Sequence, residues 1–265
     1  MSTFQNAQNI ETKERRQYHL PAGPGDLASN IMLVGDPARC EAVASHFSST
    51  RYRDSHRELT VITGTYQGLD VSVVSTGMGD GSTEICVVEI CKLIPAPTLI
   101  RCGTSGILDA SISLGDLIIT SAALRLSNLL DFYVPSSYPS VSNLEVQCAL
   151  IQSAKKHGAP FHHGLTATAP GFYAPQGRVI EGFPVQDPQL PEKLGTLGVK
   201  NLEMEAATIF GPRPSQRSQS RSHLRGHCQS SPKHFLHQRK KSNKPSAKAI
   251  AVALDAFVEL QHRSA

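Results

Sequence analysis

The chain has 265 residues, of which 40% are hydrophobic, 18% are charged and 6% are aromatic, and it contains no tryptophan. This composition is typical of a soluble globular protein with one substantial core, and it gives no sign of an aromatic-rich surface for stacking on nucleic acid. The formal net charge is +4, but nine Lys or Arg and no acidic residue lie in 211–246, so the rest of the chain carries −5 (4 − 9).

The ends and the cysteines of the chain point to a reducing compartment. Residues 1–17 are predicted to form a loose tail without the apolar core of a signal peptide, and no apolar run approaches membrane-spanning length. The six cysteines show neither a CxxC pair nor a regular spacing, as expected for free thiols. We therefore expect a cytoplasmic protein.

The first ordered motif is a strand followed by a glycine turn and a helix. The apolar run Ile31–Val34 predicts a buried strand, and Asp36 can cap a helix whose first residue is Pro37. Backbone N–H groups at such a helix start can bind an anion, and Arg39 adds a charged donor. The alternative is an ordinary strand–helix turn.

A hairpin and a glycine-rich loop come next. The runs 59–66 and 69–75 are joined by Gln67–Gly68 and predict two paired strands, preceded by the polar cluster Ser55–Glu58. The loop Thr76–Thr83 has three glycines in five positions, with Ser82 or Thr83 able to cap the following helix. Neither a Rossmann fingerprint nor a Walker motif is present in this stretch.

A third strand ends in another polar glycine turn, Thr98–Gly106. Arg101 lies inside its apolar run, and a buried arginine requires an anion. Thr104 and Ser105 add hydroxyl groups beside it. The successive turns predict a phosphate-sized site at the edge of the sheet. The alternative is that Arg101 pairs with a structural carboxylate.

Two carboxylates, Glu203 and Glu205, flank Met204 at the start of a short apolar helical pattern that ends at Phe210. Paired acceptors beside a thioether suit a ribose held by its hydroxyl groups. The alternative is an acidic first helical turn that complements the helix dipole.

Together these stretches resemble the nucleoside phosphorylase-I family, and most closely its uridine phosphorylase members. The resemblance runs from about His19 to Phe210 and resumes in the C-terminal helix. Its matching stretches are Gly35–Arg39, Ser75–Ser82, Arg101–Gly106 and Glu203–Ala206.

The resemblance implies a role for each matched position, with His19 and Arg57 completing the site of a neighbouring subunit. The implied phosphate ligands are Gly35, Arg39, Arg57, Arg101 and Thr104. The implied ribose ligands are His19, Ser105, Glu203, Met204 and Glu205. Ser105 stands where related uridine enzymes often have Thr.

The stretch Phe172–Arg178 resembles the base-binding FYxxQxR stretch of the uridine enzymes. Gln176 offers a donor and an acceptor to a pyrimidine edge, Phe172 packs on the ring, and Arg178 stabilises negative charge on the leaving uracil. Arg178 and Glu205 are the expected catalytic residues. The alternative for Gln176 and Arg178 is a solvated turn.

The resemblance implies a single-domain α/β phosphorylase fold over 18–265, with a central mixed, partly barrel-like sheet flanked by helices. It implies phosphate-dependent cleavage of uridine to uracil and ribose 1-phosphate, without a metal and without a cofactor beyond phosphate. Subunit pairs or hexamers and no membrane are expected. Purine nucleoside phosphorylase and nucleosidase are the alternatives within the fold.

The segment 211–246 interrupts this pattern. The sequence Gly211–Ser215 ends the helix, and the residues that follow are too polar to predict a core strand. Three interpretations stay open: a frameshift or mispredicted splice junction, a basic insertion that binds nucleic acid in a non-catalytic protein, or a zinc site. The zinc candidates are His223, His227, Cys228, His234 and His237.

Overall fold

The structure, a computed structural model, describes residues 10–212, 226–230 and 247–264, with side chains for 10–212 and 247–263. The described residues divide into two compact units. The first contains 10–78 and 82–99, and the second contains 79–81, 100–212 and the described residues from 226 onwards.

The first unit contains a sheet of four strands in the order β2-β3-β4-β1. Strand β1 runs parallel to β4, and the other neighbours are antiparallel. The strands are β1 (Asn30–Val34), β2 (Ser49–His56), β3 (Leu59–Tyr66) and β4 (Leu69–Ser75).

The hairpin predicted between β3 and β4 is confirmed with the same bounds. Gln67 and Gly68 both have positive φ, 47° and 80°, as the favoured two-residue hairpin turn requires. Strand β2 was not predicted, because nearly all of its residues are exposed and polar and it therefore lacks hydrophobic alternation. The predicted polar cluster forms its last two residues and the turn to β3.

Two helices follow the turns of the first unit, α1 (Pro37–Ala44) and α2 (Asp80–Leu93). The predicted cap of α1 is confirmed, since the Ala38 N–H donates to Asp36 Oδ1 at 2.9 Å. Helix α2 begins at Asp80, before the predicted capping residues. Ser82 Oγ instead donates to the Thr76 carbonyl at 2.5 Å.

The described part of the N-terminal segment is packed rather than loose. Glu11 and Gln17 form an antiparallel bridge, and both are buried together with Thr12. Gln17 Nε2 donates to Glu11 Oε2 at 3.2 Å. Residues 1–9 of the predicted tail lie outside the described residues.

The second unit contains a mixed sheet in the order β5-β11-β7-β9-β10-β6, with the short strand β8 paired to β7. Its strands are β5 (Thr98–Thr104), β6 (Gly106–Ile107), β7 (Leu117–Arg125), β8 (Ser140–Val141), β9 (Phe161–Thr168), β10 (Val199–Glu203) and β11 (Gly226–Ser230). Its helices are α3 (Leu144–Lys156), α4 (Leu190–Thr196), α5 (Ala206–Ile209) and α6 (Ala247–Ser264), with 3₁₀ turns at Leu129–Phe132 and Ala174–Gln176.

The predicted α/β class with mixed sheets flanked by helices is confirmed, and the described strands do not close into a barrel. Strands β7, β9 and β10 are mutually parallel, so their carboxyl ends meet at one edge. At that edge the register places Thr168 beside both Arg125 and Glu203. The predicted base loop leaves from Thr168, and the predicted ribose stretch contains Glu203.

The expectation that 211–246 supplies no strand is wrong for the described residues 226–230. Strand β11 lies parallel to β5 and antiparallel to β7. Backbone N–H and C=O groups form the ladder whatever side chains they carry, so polar composition does not prevent this pairing. The other residues of 213–246 lie outside the described part of the chain.

The C-terminal helix α6 is confirmed and packs on α3. Ser153 Oγ donates to the Val252 carbonyl at 2.8 Å, and His157 Nε2 lies 2.9 Å from Asp255 Oδ2. None of the described helices is both long and apolar enough to cross a lipid bilayer.

Candidate active site

The predicted site residues are distributed over both units. The first unit contains His19, Gly35, Arg39 and Arg57. The second contains Arg101, Thr104, Ser105, Phe172, Gln176, Arg178, Glu203, Met204 and Glu205.

In the first unit, the turn after β1 leads directly into helix α1. Gly35 precedes the capped start of α1, and Arg39 is the third residue of this helix, with only 8% of its surface exposed. The Arg39 N–H donates to the Asp36 carbonyl at 2.9 Å. The helix start and the buried Arg39 side chain thus lie in one turn, but the N–H groups of Ala38 and Arg39 are bonded to Asp36, and phosphate binding at this turn stays a prediction.

His19 is held by a carboxylate that the sequence analysis did not identify. Its Nδ1 lies 2.9 Å from Glu89 Oε1, and the N–H groups of His19 and Leu20 donate to the same carboxylate. Arg57 occupies the β2–β3 turn with φ 56°, and its guanidinium lies 5.9 Å from the centre of the Tyr18 ring. The predicted contacts of His19 and Arg57 with a neighbouring subunit stay predictions.

In the second unit, the Glu205 carboxylate is held from two sides. The Gly79 N–H donates to Glu205 Oε1 at 2.7 Å, and Arg101 Nη2 donates to Oε2 at 2.6 Å. Side chains 101 and 205 are 5% and 7% exposed, so the ion pair is buried. The open alternative for Arg101, pairing with a carboxylate, is therefore realised, and its partner is the predicted ribose ligand.

The conformation of Gly79 explains why glycine stands at this position of the loop Thr76–Thr83. Its φ of 90° is a conformation that side chains rarely adopt, and a Cβ there would lie 3.7 Å from Met204 Cε. The glycine thus presents its N–H to Glu205 while its α-carbon stays close to Met204. The glycine pattern predicts the loop, but it carries no signal for this contact with a residue 126 positions away.

Glu203 holds the start of α5. Its Oε2 accepts from the N–H groups of Glu205 and Ala206, both at 2.8 Å, and its Oε1 accepts from Thr168 Oγ1 at 2.5 Å. Glu203 therefore fixes the backbone on which Glu205 stands. This is a more specific role than the predicted shaping of the ribose pocket.

Burial raises the pKa of Glu203 to about 7, and the negative charge of Glu205 acts in the same direction. The hydrogen bond from Thr168 and the charge of Arg101 lower this pKa. Ionisation of Glu203 is therefore balanced near neutral pH between its burial and its partners.

Thr104 and Ser105 lie where β5 ends, four or fewer residues after Arg101. Thr104 is half-buried at the strand end, and Ser105 is buried. Their placement near Arg101 along the chain agrees with the predicted polar turn. Their binding roles stay predictions.

The base loop is internally bonded. Gln176 is buried, its Nε2 donates to the Gly171 carbonyl at 3.0 Å, and its Oε1 lies 3.4 Å from Arg178 Nη2. Arg178 Nε donates to the Phe172 carbonyl at 2.8 Å, and its guanidinium lies 3.9 Å from the centre of the Phe172 ring. The alternative of a solvated turn is therefore excluded for the Gln176 side chain.

The loop also constrains Arg178 electrostatically and geometrically. Burial lowers the pKa of Arg178, because its guanidinium is partly removed from water. Gly177 beside it has φ 69°, and a Cβ there would lie 2.7 Å from Pro191 Cδ. Only glycine fits between Gln176 and Arg178 without moving α4.

No metal site is found among the described residues, in which no group of three or more His, Cys, Asp or Glu could hold an ion. The side chains of the zinc candidates His223, His227, Cys228, His234 and His237 lie outside the described part of the chain. That alternative stays open.

The second unit thus places a carboxylate, which can accept from sugar hydroxyls, against a buried arginine, which can donate to an anion. The sequence profile of the Phosphorylase superfamily matches residues 31–210. The chain belongs to this superfamily.

Three relatives are similar to this chain over about three quarters of its length. A uridine phosphorylase of Thermococcus kodakarensis is 42% identical over 209 residues, 78% of this chain and 75% of the relative. A uridine phosphorylase of Haemophilus influenzae is 37% identical over 198 residues, 73% of this chain and 78% of the relative. A DeoD-type purine nucleoside phosphorylase of Shewanella denitrificans is 32% identical over 196 residues, with the same two coverages.

We predict that Arg101→Met lowers the free energy of unfolding by about 3–5 kcal/mol, because it leaves the Glu205 carboxylate buried without its cation. The double variant Arg101→Met/Glu205→Leu should regain part of this loss. Urea unfolding of the two single variants and the double variant measures the coupling.

The matched control is the exposed pair Lys193–Asp187, whose atoms approach to 2.8 Å. Lys193→Met should change the free energy of unfolding by less than about 1 kcal/mol. If the costs of Arg101→Met and Glu205→Leu simply add, the described ion pair does not stabilise the fold.

Proposed function

We propose that this chain cleaves uridine with phosphate, giving uracil and ribose 1-phosphate. The observation that carries the proposal is the Glu205 carboxylate, fixed between the Arg101 guanidinium and the Gly79 N–H. The relatives named as uridine phosphorylases, at 42% and 37% identity, support uridine over purine nucleosides, whose relative is 32% identical.

Glu205 is the ribose ligand of this proposal. A carboxylate oxygen can accept more than one hydrogen bond, so both oxygens can receive ribose hydroxyl groups while Gly79 and Arg101 hold them in place. Because the carboxylate is already oriented before substrate binds, little ordering is required when the sugar enters.

Arg101 connects the ribose ligand to the nucleophile. A guanidinium presents five N–H donors in a fixed fork and can therefore contact a carboxylate and a phosphate at once. In this arrangement the phosphate lies beside the sugar held by Glu205. One phosphate oxygen attacks C1′ as the C1′–N1 bond breaks, and the bonding electrons leave with the uracil.

Arg178 supports the leaving base. Its partly desolvated guanidinium gains most from an anionic partner, and the departing uracil is anionic until it takes a proton from solvent. The Gln176 amide is bonded to the Gly171 carbonyl and to Arg178, and each of its ends retains a second hydrogen-bonding position for a pyrimidine edge.

The remaining expectations complete the proposal. Gly35 and Arg39 bind phosphate and Ser105 contacts ribose, while Arg57 and His19 contact the phosphate and the ribose of a neighbouring subunit. Phosphate is a co-substrate, and no other cofactor takes part. The protein acts in pyrimidine salvage in the cytoplasm as a homo-oligomer, a dimer or a hexamer, and its catalytic domain covers 18–265.

The segment 211–246 limits the activity of the chain in this proposal. The family match ends at residue 210, where the basic composition begins. This coincidence supports a frameshift or mispredicted splice junction within a phosphorylase sequence. We expect the chain with this segment to turn over uridine more slowly than the Thermococcus kodakarensis relative.

The test is release of uracil and ribose 1-phosphate by the purified chain. We expect release from uridine only when phosphate is present, and less release from inosine. The Thermococcus kodakarensis relative, prepared alongside, sets the reference rate. Phosphate-independent release would indicate a nucleosidase, and faster cleavage of inosine would indicate a purine enzyme. Either result would overturn the proposal. A rate equal to the reference would contradict the expected impairment.

A second prediction concerns Arg178. Arg178→Met should lower kcat about 100-fold or more while changing KM for uridine less, because the positive charge acts mainly on charge that develops in the transition state. Steady-state kinetics at saturating phosphate measures both constants. An increase in KM with unchanged kcat would mean that Arg178 only binds the substrate.

A further inference from the structure

Thr168, the last residue of β9, carries a buried hydroxyl to which the sequence analysis gave no role. Its Oγ1 donates to Glu203 Oε1 at 2.5 Å and accepts from the Ala207 N–H at 2.9 Å. Only 1% of Thr168 is exposed. The hydroxyl thus connects the end of one parallel strand to the carboxylate of the next and to the helix that follows.

Thr168 and Glu203 together bind the start of α5. Glu203 Oε2 accepts from the N–H groups of Glu205 and Ala206, and Thr168 Oγ1 accepts from that of Ala207. Three consecutive backbone donors, which a helix leaves without partners in its own first turn, are satisfied in this way. The peptide that carries Glu205 is therefore fixed by the pair.

We propose that Thr168 is a positioning residue for the reaction: its hydroxyl keeps Glu203 ionised and oriented, and Glu203 in turn holds Glu205 against Arg101 and Gly79. The inference deepens the proposed function and rests on it for its kinetic consequences. Thr168 does not itself contact the substrate in this account.

The geometry favours an ionised Glu203. Both of its oxygens accept hydrogen bonds, from two N–H groups and from the Thr168 hydroxyl, whose own acceptor position is used by Ala207. Protonation would turn this charged acceptor into a neutral one and weaken the hydrogen bonds that it receives. The charged groups that face Glu203 are Glu205, which opposes its ionisation, and Arg101, which favours it.

Removal of the hydroxyl therefore changes a charge as well as a contact. Thr168→Val keeps the shape of the side chain but leaves Glu203 without its donor, so its pKa rises from about 7. Protonated Glu203 then accepts from the N–H groups of Glu205 and Ala206 as a neutral group, and holds them more weakly, at pH values where the wild type is ionised. Thr168→Ser keeps the donor.

A matched control lies two residues earlier on the same face of β9. Thr166 is fully buried, and its Oγ1 lies 2.8 Å from Asn201 Oδ1 and 2.7 Å from Thr120 Oγ1. Thr166→Val removes a buried hydroxyl of equal size without touching Glu203. It reproduces the structural cost of the substitution but not the electrostatic one.

The kinetic experiment is the pH dependence of kcat/KM for uridine. In Thr168→Val the acid limb should move up by about one pH unit or more, because a hydrogen bond to a charged group is lost. Thr168→Ser and Thr166→Val should keep the acid limb of the wild type. An equal loss at all pH values in Thr168→Val would overturn the inference.

A second experiment does not depend on activity. A carboxyl group whose pKa is raised in the folded state makes stability fall as the pH rises from its unfolded pKa to its folded pKa. For Glu203 this window extends from 4.5 to about 7 in the wild type, and it extends further upward in Thr168→Val. The difference in Tm between Thr168→Val and Thr168→Ser should therefore stay constant from about pH 5 to pH 7 and widen above about pH 7.

The two experiments separate the inference from the proposed function. If the wild type does not cleave uridine, the proposed function fails, and the Tm difference still decides whether Thr168 controls Glu203. A Tm difference that is constant with pH overturns the inference. If Thr168→Val does not fold, Thr168→Cys, whose thiol is a weaker donor, replaces it and should shift both readouts in the same direction by a smaller amount.

Discussion

The second unit depends on the burial of two carboxylates beside one guanidinium. Glu203 and Glu205 are two residues apart, both are buried, and Arg101 donates to Glu205 at 2.6 Å. Removal of these charges from water is costly unless each is bonded. Backbone N–H groups of Gly79, Glu205 and Ala206 and the hydroxyl of Thr168 provide the remaining bonds, and they determine the path of the loops that carry them.

The contact between these buried charges also supports the proposed phosphorolysis. The Glu205 carboxylate and the Arg101 guanidinium are in direct contact, so in the proposed function the ribose and the phosphate that they bind lie next to each other. The base loop begins immediately after Thr168, at the carboxyl end of β9, and β10 ends beside it at Glu203. The sheet register therefore places the end of β9, where the predicted base loop begins, beside Glu203, and the Thr168 hydroxyl bonds to the Glu203 carboxylate that holds the Glu205 backbone.

Local features were predictable from the sequence and long-range contacts were not. The hairpin turn at Gln67–Gly68 and the Asp36 cap depend on adjacent residues, and both are confirmed. The contact of Gly79 with Glu205 joins residues 126 positions apart, so the glycine loop showed only that a close approach was needed. Strand β2 lacked a hydrophobic pattern, and β11 pairs through its backbone alone. Thr168 gave no signal, because a single threonine at a strand end is ordinary.

The central claim is that Glu205 and Arg101 form an ion pair while Glu205 binds the ribose and Arg101 binds the phosphate. Calorimetric titration of phosphate into the wild type and into Glu205→Gln, with uridine kinetics on both proteins, tests it most directly. Loss of the competing negative charge should tighten phosphate binding to Arg101, while loss of the ribose acceptor lowers kcat/KM for uridine. We therefore predict that Glu205→Gln binds phosphate more tightly than the wild type and has a lower kcat/KM for uridine. Phosphate affinity that is unchanged or weaker in Glu205→Gln would contradict the account.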